Sequence, residues 1–140
     1  MIVLFDEGGV EMLKAYFQNN DLTLRLFCTE IVGEIPNNSL AADLEEPQGG
    51  GYAAIPLDKT LWTVGVVGGI ATAQYPTKSF NFTGPLLVNP SVVGYFVTNN
   101  NNPAKAIFGQ KGLGLFTPMS SADVLDVVPT FQLAAGVPAA

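Results

Sequence analysis

Two stretches of this chain alternate apolar and polar residues, and two more run apolar and β-branched between turn residues. Asp21-Leu22-Thr23-Leu24-Arg25-Leu26-Phe27 and Ser79-Phe80-Asn81-Phe82-Thr83 alternate. Val92 to Thr98 and Leu125 to Leu133 are the continuous ones. Period-two alternation turns one face of a strand to a core and the other to water or a partner. Val92 to Thr98 reads as a central strand. Leu125 to Leu133 carries Pro129 and therefore lies near an edge.

Weaker runs fill the gaps. Tyr52 to Leu57 contains Pro56, which marks an edge or a bulge. Leu61 to Val67 is a strand in which Gly65 marks a bulge, and Gly68-Gly69 ends it. Ala106 to Phe108 and Leu113 to Phe116 flank a glycine-rich stretch and read as two strands or one broken strand. Asn99 to Asn102 before Pro103 is a polar turn.

Near the start the period changes. Glu7-Gly8-Gly9 breaks the apolar opening Met1 to Phe5; Val10, Leu13 and Phe17 then recur at helical spacing. Glu7 and Glu11 sit where the helix dipole favours negative charge, and Asn19-Asn20 reads as a left-handed stop. Residues 30–51, rich in Pro, Gly and carboxylates, form a long loop with a turn of helix around Leu40 to Leu44.

About eight strands at hairpin spacing predict an all-β, antiparallel two-sheet sandwich of jelly-roll or Greek-key kind, with one short N-terminal helix. The expected organisation is a single domain over 1–140, with arms at 1–8 and 134–140 and a long loop at 30–51. That loop is expected to reach over a neighbouring subunit.

Composition narrows the function. The net charge is −6, and only six Lys and Arg are scattered through 140 residues, so no basic patch for nucleic acid is expected. No apolar run has the length of a membrane span. The opening residues have no basic segment and turn acidic at once, so no secretory leader is expected and folding in a cytoplasm is. Apolar residues are 48% of the chain and charged ones 13%; this suits a surface partly hidden in an assembly and equally a well-filled core.

The chemical inventory is poor. There is no histidine, so a serine or cysteine nucleophile lacks its usual base, and Cys28 reads as a small buried hydrophobe. One cysteine builds neither a disulfide nor a zinc site. Two carboxylates can run a glycosidase, which puts Asp43, Glu45 and Glu46, and the pair Asp123 and Asp126, in question; both groups read as solvated surface. The first lacks EF-hand spacing. No catalytic residue, metal or cofactor is expected. Trp62 and Tyr95 read as core or subunit-interface aromatics, and Tyr75-Pro76 as the exposed aromatic.

Taken in order, the strand runs just quoted, with Gly51-Tyr52-Ala53-Ala54, Leu61-Trp62-Thr63-Val64, Gln74-Tyr75-Pro76 and Val128 to Leu133, resemble a group of small β-rich virion proteins of tailed bacteriophages, including phages of cyanobacteria. The resemblance implies a decoration or cement protein on the outer capsid surface. Its partner would be the major capsid protein, bridged between neighbours by an arm or loop. It also implies a homo-oligomer, a trimer in preference to a dimer. The chain departs from the pattern between Asn99 and Met119. Interface residues are then expected at Ile2, Val3, Leu4 and Phe5, at Leu40 and Leu44, at Tyr75 and Phe131, and at Val137. The alternative is a tail fibre or spike module that binds host glycan through Tyr75 and the Asn99 to Asn102 turn.

Overall fold

The structure, a computed structural model, describes residues 2–133, with Leu113 described by its backbone alone. It is antiparallel β throughout, with one N-terminal α-helix. The elements are α1 (Asp6–Phe17), β1 (Leu22–Phe27), β2 (Ile55–Leu57), β3 (Thr63–Val67), β4 (Ile70–Gln74), β5 (Lys78–Asn81), β6 (Val92–Asn99), β7 (Ala106–Phe116), β8 (Val124–Val127) and β9 (Thr130–Leu133). Short 3₁₀ turns cover Ala41–Asp43 and Lys59–Leu61. The pattern predicts two sheets; the strands divide among three, in the orders β2-β1-β6-β7, β3-β4-β9 and β5-β8.

These elements group into two compact units. The first takes residues 2–21, 58–77 and 128–133. Here α1 packs on the face of the β3-β4-β9 sheet that carries Ala71, Ala73 and Phe131. Gly8 and Gly9 do not break the helix, which begins at Asp6. Gly9 is buried, and a Cβ built on it would stand 2.9 Å from the Ala71 Cβ. The missing side chain lets the helix approach the strand. Leu13 and Phe17 follow on the same stripe, and the Phe17 ring lies 4.6 Å from Trp62 and 5.6 Å from Phe131.

The helix stop also differs from expectation. No described non-glycine residue has positive φ, so Asn19 and Asn20 are not left-handed. Their side chains close the helix instead. Asn19 Nδ2 donates to the Ala15 carbonyl at 3.0 Å and Asn20 Nδ2 to the Tyr16 carbonyl at 2.8 Å, satisfying carbonyls that the last turn leaves open.

Gly65 is not a bulge: it pairs with Thr72 in an unbroken ladder. Gly68-Gly69 does more than end β3. Both glycines have positive φ, 59° and 79°, and they join β3 directly to β4 in a two-residue hairpin turn.

The second unit takes residues 22–57 and 78–127. Its centre is β6, buried from Val92 to Thr98 and flanked by β1 and β7. β2, with Pro56, is an edge strand as expected. β7 is one continuous strand whose register against β6 shifts twice, which answers the choice between two strands and a broken one. The predicted last strand is two. β8 pairs with β5 and β9 with β4, and Pro129, which has no N–H to offer a ladder, stands between them.

Placing a side chain on Gly9 tests the helix–sheet contact. Gly9→Val is expected to destabilise the chain by about 1–3 kcal/mol, because the new side chain forces the helix off Ala71. Gly8→Ala meets only the flexible end of Leu4 and is expected to be neutral or to stabilise by up to about 1 kcal/mol. Urea unfolding of both variants measures the contrast.

Candidate functional site

The opening segment is apolar and mostly in solvent. Ile2 is 97% exposed, Val3 51% and Phe5 75%, while Leu4 is half-buried and turns back toward Gly8 and Gly9. Phe5 has extended backbone at the start of α1, and its carbonyl accepts the first helical bond from Gly9 N–H at 2.9 Å. Four apolar residues therefore lead into a helix whose own apolar stripe is already occupied.

The loop at 30–51 lies over its own sheet and is fastened along its length. Cys28 N–H donates to the Glu45 carbonyl at 2.7 Å, and Glu45 N–H donates to Thr29 Oγ1 at 2.7 Å. Lys111 on β7 donates from Nζ to the carbonyls of Ile31 and Gly33 at 2.6 and 2.7 Å. Leu44 is buried with Phe27, Val93 and Phe96, and Ile31, Ile35 and Ala41 pack against that group. Leu44, expected at an interface, is thus a core residue of this chain. Leu40, three residues before Asp43, is 66% exposed, and its N–H donates to Asp43 Oδ2 at 2.8 Å.

Under the loop runs a polar network. Arg25 occupies a polar position of β1. Its Nη1 meets Glu46 Oε2 at 3.1 Å, and its Nε donates to the buried Thr98 Oγ1 at 3.0 Å. The Tyr52 hydroxyl donates to Glu46 Oε1 at 2.7 Å and accepts from Leu26 N–H at 3.1 Å. β2 pairs with β1 only as far as Leu24, so the phenol supplies the acceptor that a longer β2 would have given Leu26. Burial, and then the hydrogen bond to Glu46, push the Tyr52 phenol well above its ordinary value. It stays a neutral donor at every working pH.

Other predicted residues scatter. Tyr75 is 2% exposed: its ring packs on Trp62 at 5.2 Å, and its hydroxyl accepts from Asp58 N–H at 2.9 Å. The expectation of an exposed Tyr75 is therefore overturned, and the glycan reading loses its aromatic. A tyrosine that follows β4 at the end of a hairpin turns its ring to the core. Trp62 and Tyr95 are buried. Trp62 Nε1 has no hydrogen-bond partner among the described residues. Phe131 is half-buried against Phe17. Val137 and the tail at 134–140 lie outside the described residues.

The carboxylates do structural work. Asp123 Oδ2 accepts from the N–H groups of Met119 and Ser120, and Asp126 pairs with Ser79 across β5 and β8. Thr60 donates to Asp58 through its N–H and its hydroxyl, and those bonds hold the Asp58 carboxyl below its ordinary value. Among the described residues no three His, Cys, Asp or Glu side chains converge as metal ligands. A shallow cleft of about 440 Å³ lies between Gly33 to Ile35 and Gly109 to Lys111, but the Lys111 ammonium there is spent on backbone carbonyls. No helix among the described residues is long and apolar enough to cross a membrane.

The sequence reading missed the Arg25–Glu46–Tyr52 network and the Lys111 clasp. A lone arginine amid an alternating strand was the signal for the first; a lone lysine in a glycine-rich strand was the signal for the second. Comparison with protein-family models, with curated proteins and with solved structures gives no match.

Tyr52→Phe leaves the buried Leu26 N–H without its acceptor and is expected to cost about 1–3 kcal/mol in urea unfolding. Cys28 gives a pH test. Burial, with the Glu45 charge adding, pushes its thiol up to about 11 from 9.0. The folded chain keeps a proton that the unfolded chain loses, so this contribution to stability is whole below about pH 9 and falls as pH rises toward 11. Thiol-reagent kinetics should show Cys28 slow in the native chain and fast in denaturant, and Cys28→Ala should flatten the alkaline decline.

Proposed function

We propose that this chain is a structural virion protein that decorates and cements the outer surface of a tailed-phage capsid by bridging neighbouring major capsid proteins. The observation that carries the reading is the opening segment, where Ile2 at 97% and Phe5 at 75% exposure stand in solvent ahead of a packed helix. Large apolar side chains held out in this way cost free energy that covering them recovers. The order of strand runs that resembles small phage virion proteins supports the same reading.

In this proposal the arm at residues 2–5 lies down on an adjacent capsid subunit. Its backbone can extend a sheet there while Ile2 and Phe5 fill pockets. Each contact is modest, and many copies on a closed lattice make binding effectively permanent. A protein that binds only the mature lattice stabilises it by mass action, which is what a cement does. Leu40, exposed on its short 3₁₀ turn, is the second contact this reading assigns. The chain would be made in the host cytoplasm and act as an oligomer on the virion.

The test is cryo-electron microscopy of the virion that carries this chain, together with co-sedimentation of the purified protein and its bare heads. Density on the outer face of the head, between capsomers, is expected. Density confined to tail appendages, or no binding to expanded heads, would overturn the reading. Phe5→Ser is expected to weaken head binding roughly 10–100-fold, the loss of one buried aromatic, while leaving the fold intact by circular dichroism.

A further inference from the structure

Sheet edges invite pairing with other chains, and folded proteins usually blunt them with charge, proline, bulges or shortness. The edges described here can be compared on that basis. β2 is three residues long and carries Pro56. β7 carries Lys111 and two register shifts. β5 and β8 carry Lys78 and Asp126. β9 has four described residues, follows Pro129 and among them exposes only Gln132. β3 differs from β2, β5, β7 and β8, and it exposes more apolar side chain than β9. Thr63-Val64-Gly65-Val66-Val67 has no charge and no proline, and its ladder to β4 is unbroken. Val66 is 51% exposed and Val67 61%.

We propose that the free edge of β3 is a pairing surface for a second copy of this chain, β3 against β3 in antiparallel register about Gly65. The sequence of the strand is complementary to itself in that register. Val64 meets the partner's Val66 on the face that carries Ala71 and Ala73; Thr63 meets the partner's Val67 on the other face. These are β-branched cross-strand pairs, which suit a ladder. Gly65 meets its own copy on the two-fold axis. Two copies of a chain with net charge −6 repel overall, and β3 adds no charged side chain of its own to that repulsion. The contact is isologous, so it closes at two chains and leaves no further edge of its kind. The joined sheet runs β9-β4-β3-β3-β4-β9. This inference stands apart from the capsid reading, which rests on residues 2–5 and Leu40.

A five-residue ladder is small beside a standard interface, so the dimer is weak and must be sought over a concentration series. Sedimentation equilibrium of the full chain up to about 1 mM is expected to show monomer and dimer. Val66→Lys places a charge on the edge at an exposed position and is expected to raise the dissociation constant at least about 10-fold. Gly65→Cys reads the register. A Cβ there meets nothing within 4 Å, and directly opposed residues of an antiparallel pair stand about 4.5–5.5 Å apart at Cα, within reach of a disulfide. Mild oxidation should cross-link Gly65→Cys into dimers. Gln132→Cys, exposed on β9, should stay monomeric in the same gel, and native Cys28 is buried and silent. A chain that is monomeric throughout, a trimer, or a dimer in which Gly65→Cys links no faster than Gln132→Cys would overturn the proposal. Should Val66→Lys fail to fold, the cross-link decides alone.

Discussion

A strand with no exposed face must be covered on both sides, and in the second unit β6 imposes that requirement. Val92 to Thr98 is buried without a break. β1 and β7 satisfy its backbone edges, and Phe27, Val93 and Phe96 gather on one face. That face would be open if residues 30–51 wandered. The loop is instead drawn over it, with Leu44 as the anchor and Ile31 and Ile35 around it. The polar atoms that such a loop brings are satisfied in place: Arg25, Glu46 and Tyr52 answer one another, and Lys111 takes two of its carbonyls. The loop is long because it is a lid on β6, and the hydrogen bonds let a carboxylate-rich segment serve as one.

Much of this was legible because it is local. β1 and β6 announced themselves by alternation and by a continuous apolar run. The helix showed through Leu13 and Phe17, and Pro56 marked an edge. What was not legible depends on a neighbour that the local sequence does not name. Gly9 looks like a breaker until Ala71 is placed against it. Gly65 looks like a bulge until Thr72 pairs with it. Gly68-Gly69 was read as a stop, although a two-glycine link between β-branched runs is also the hairpin signal, and β4 was overlooked as a result. Tyr75 was expected to be exposed and Leu44 to lie at an interface, and packing holds both inside. Of the expected interface residues that the structure describes, Ile2, Val3, Phe5 and Leu40 are the exposed ones.

The molecule divides its apolar exposure unevenly. Most strand edges carry the usual blunting devices, and the acidic side chains close turns and cap short helices. Large exposed apolar side chains stand on loops, at Val32, Leu40, Leu87, Val88 and Met119, and on β7 at Leu115, and two further groups stand at the start of α1 and along β3. The start of α1 is a short non-helical extension ahead of a packed helix and β3 is a hydrogen-bonding edge, so they suit different kinds of contact.

The division of the strands has a consequence for how the chain is made. Each compact unit is assembled from pieces that are far apart in sequence, and the chain passes from one unit to the other at 21–22, 57–58, 77–78 and 127–128. β5 waits for β8, and β4 waits for β9. During synthesis neither unit can close until residues 124–133 have left the ribosome. The nascent chain therefore carries β5, and the side of β4 that pairs with β9, well before the strands that complete them are made. Long-range pairing of this kind is slow as well as late. Newly released chains are the species most exposed to wrong partners, and crowding them on one messenger would raise that hazard.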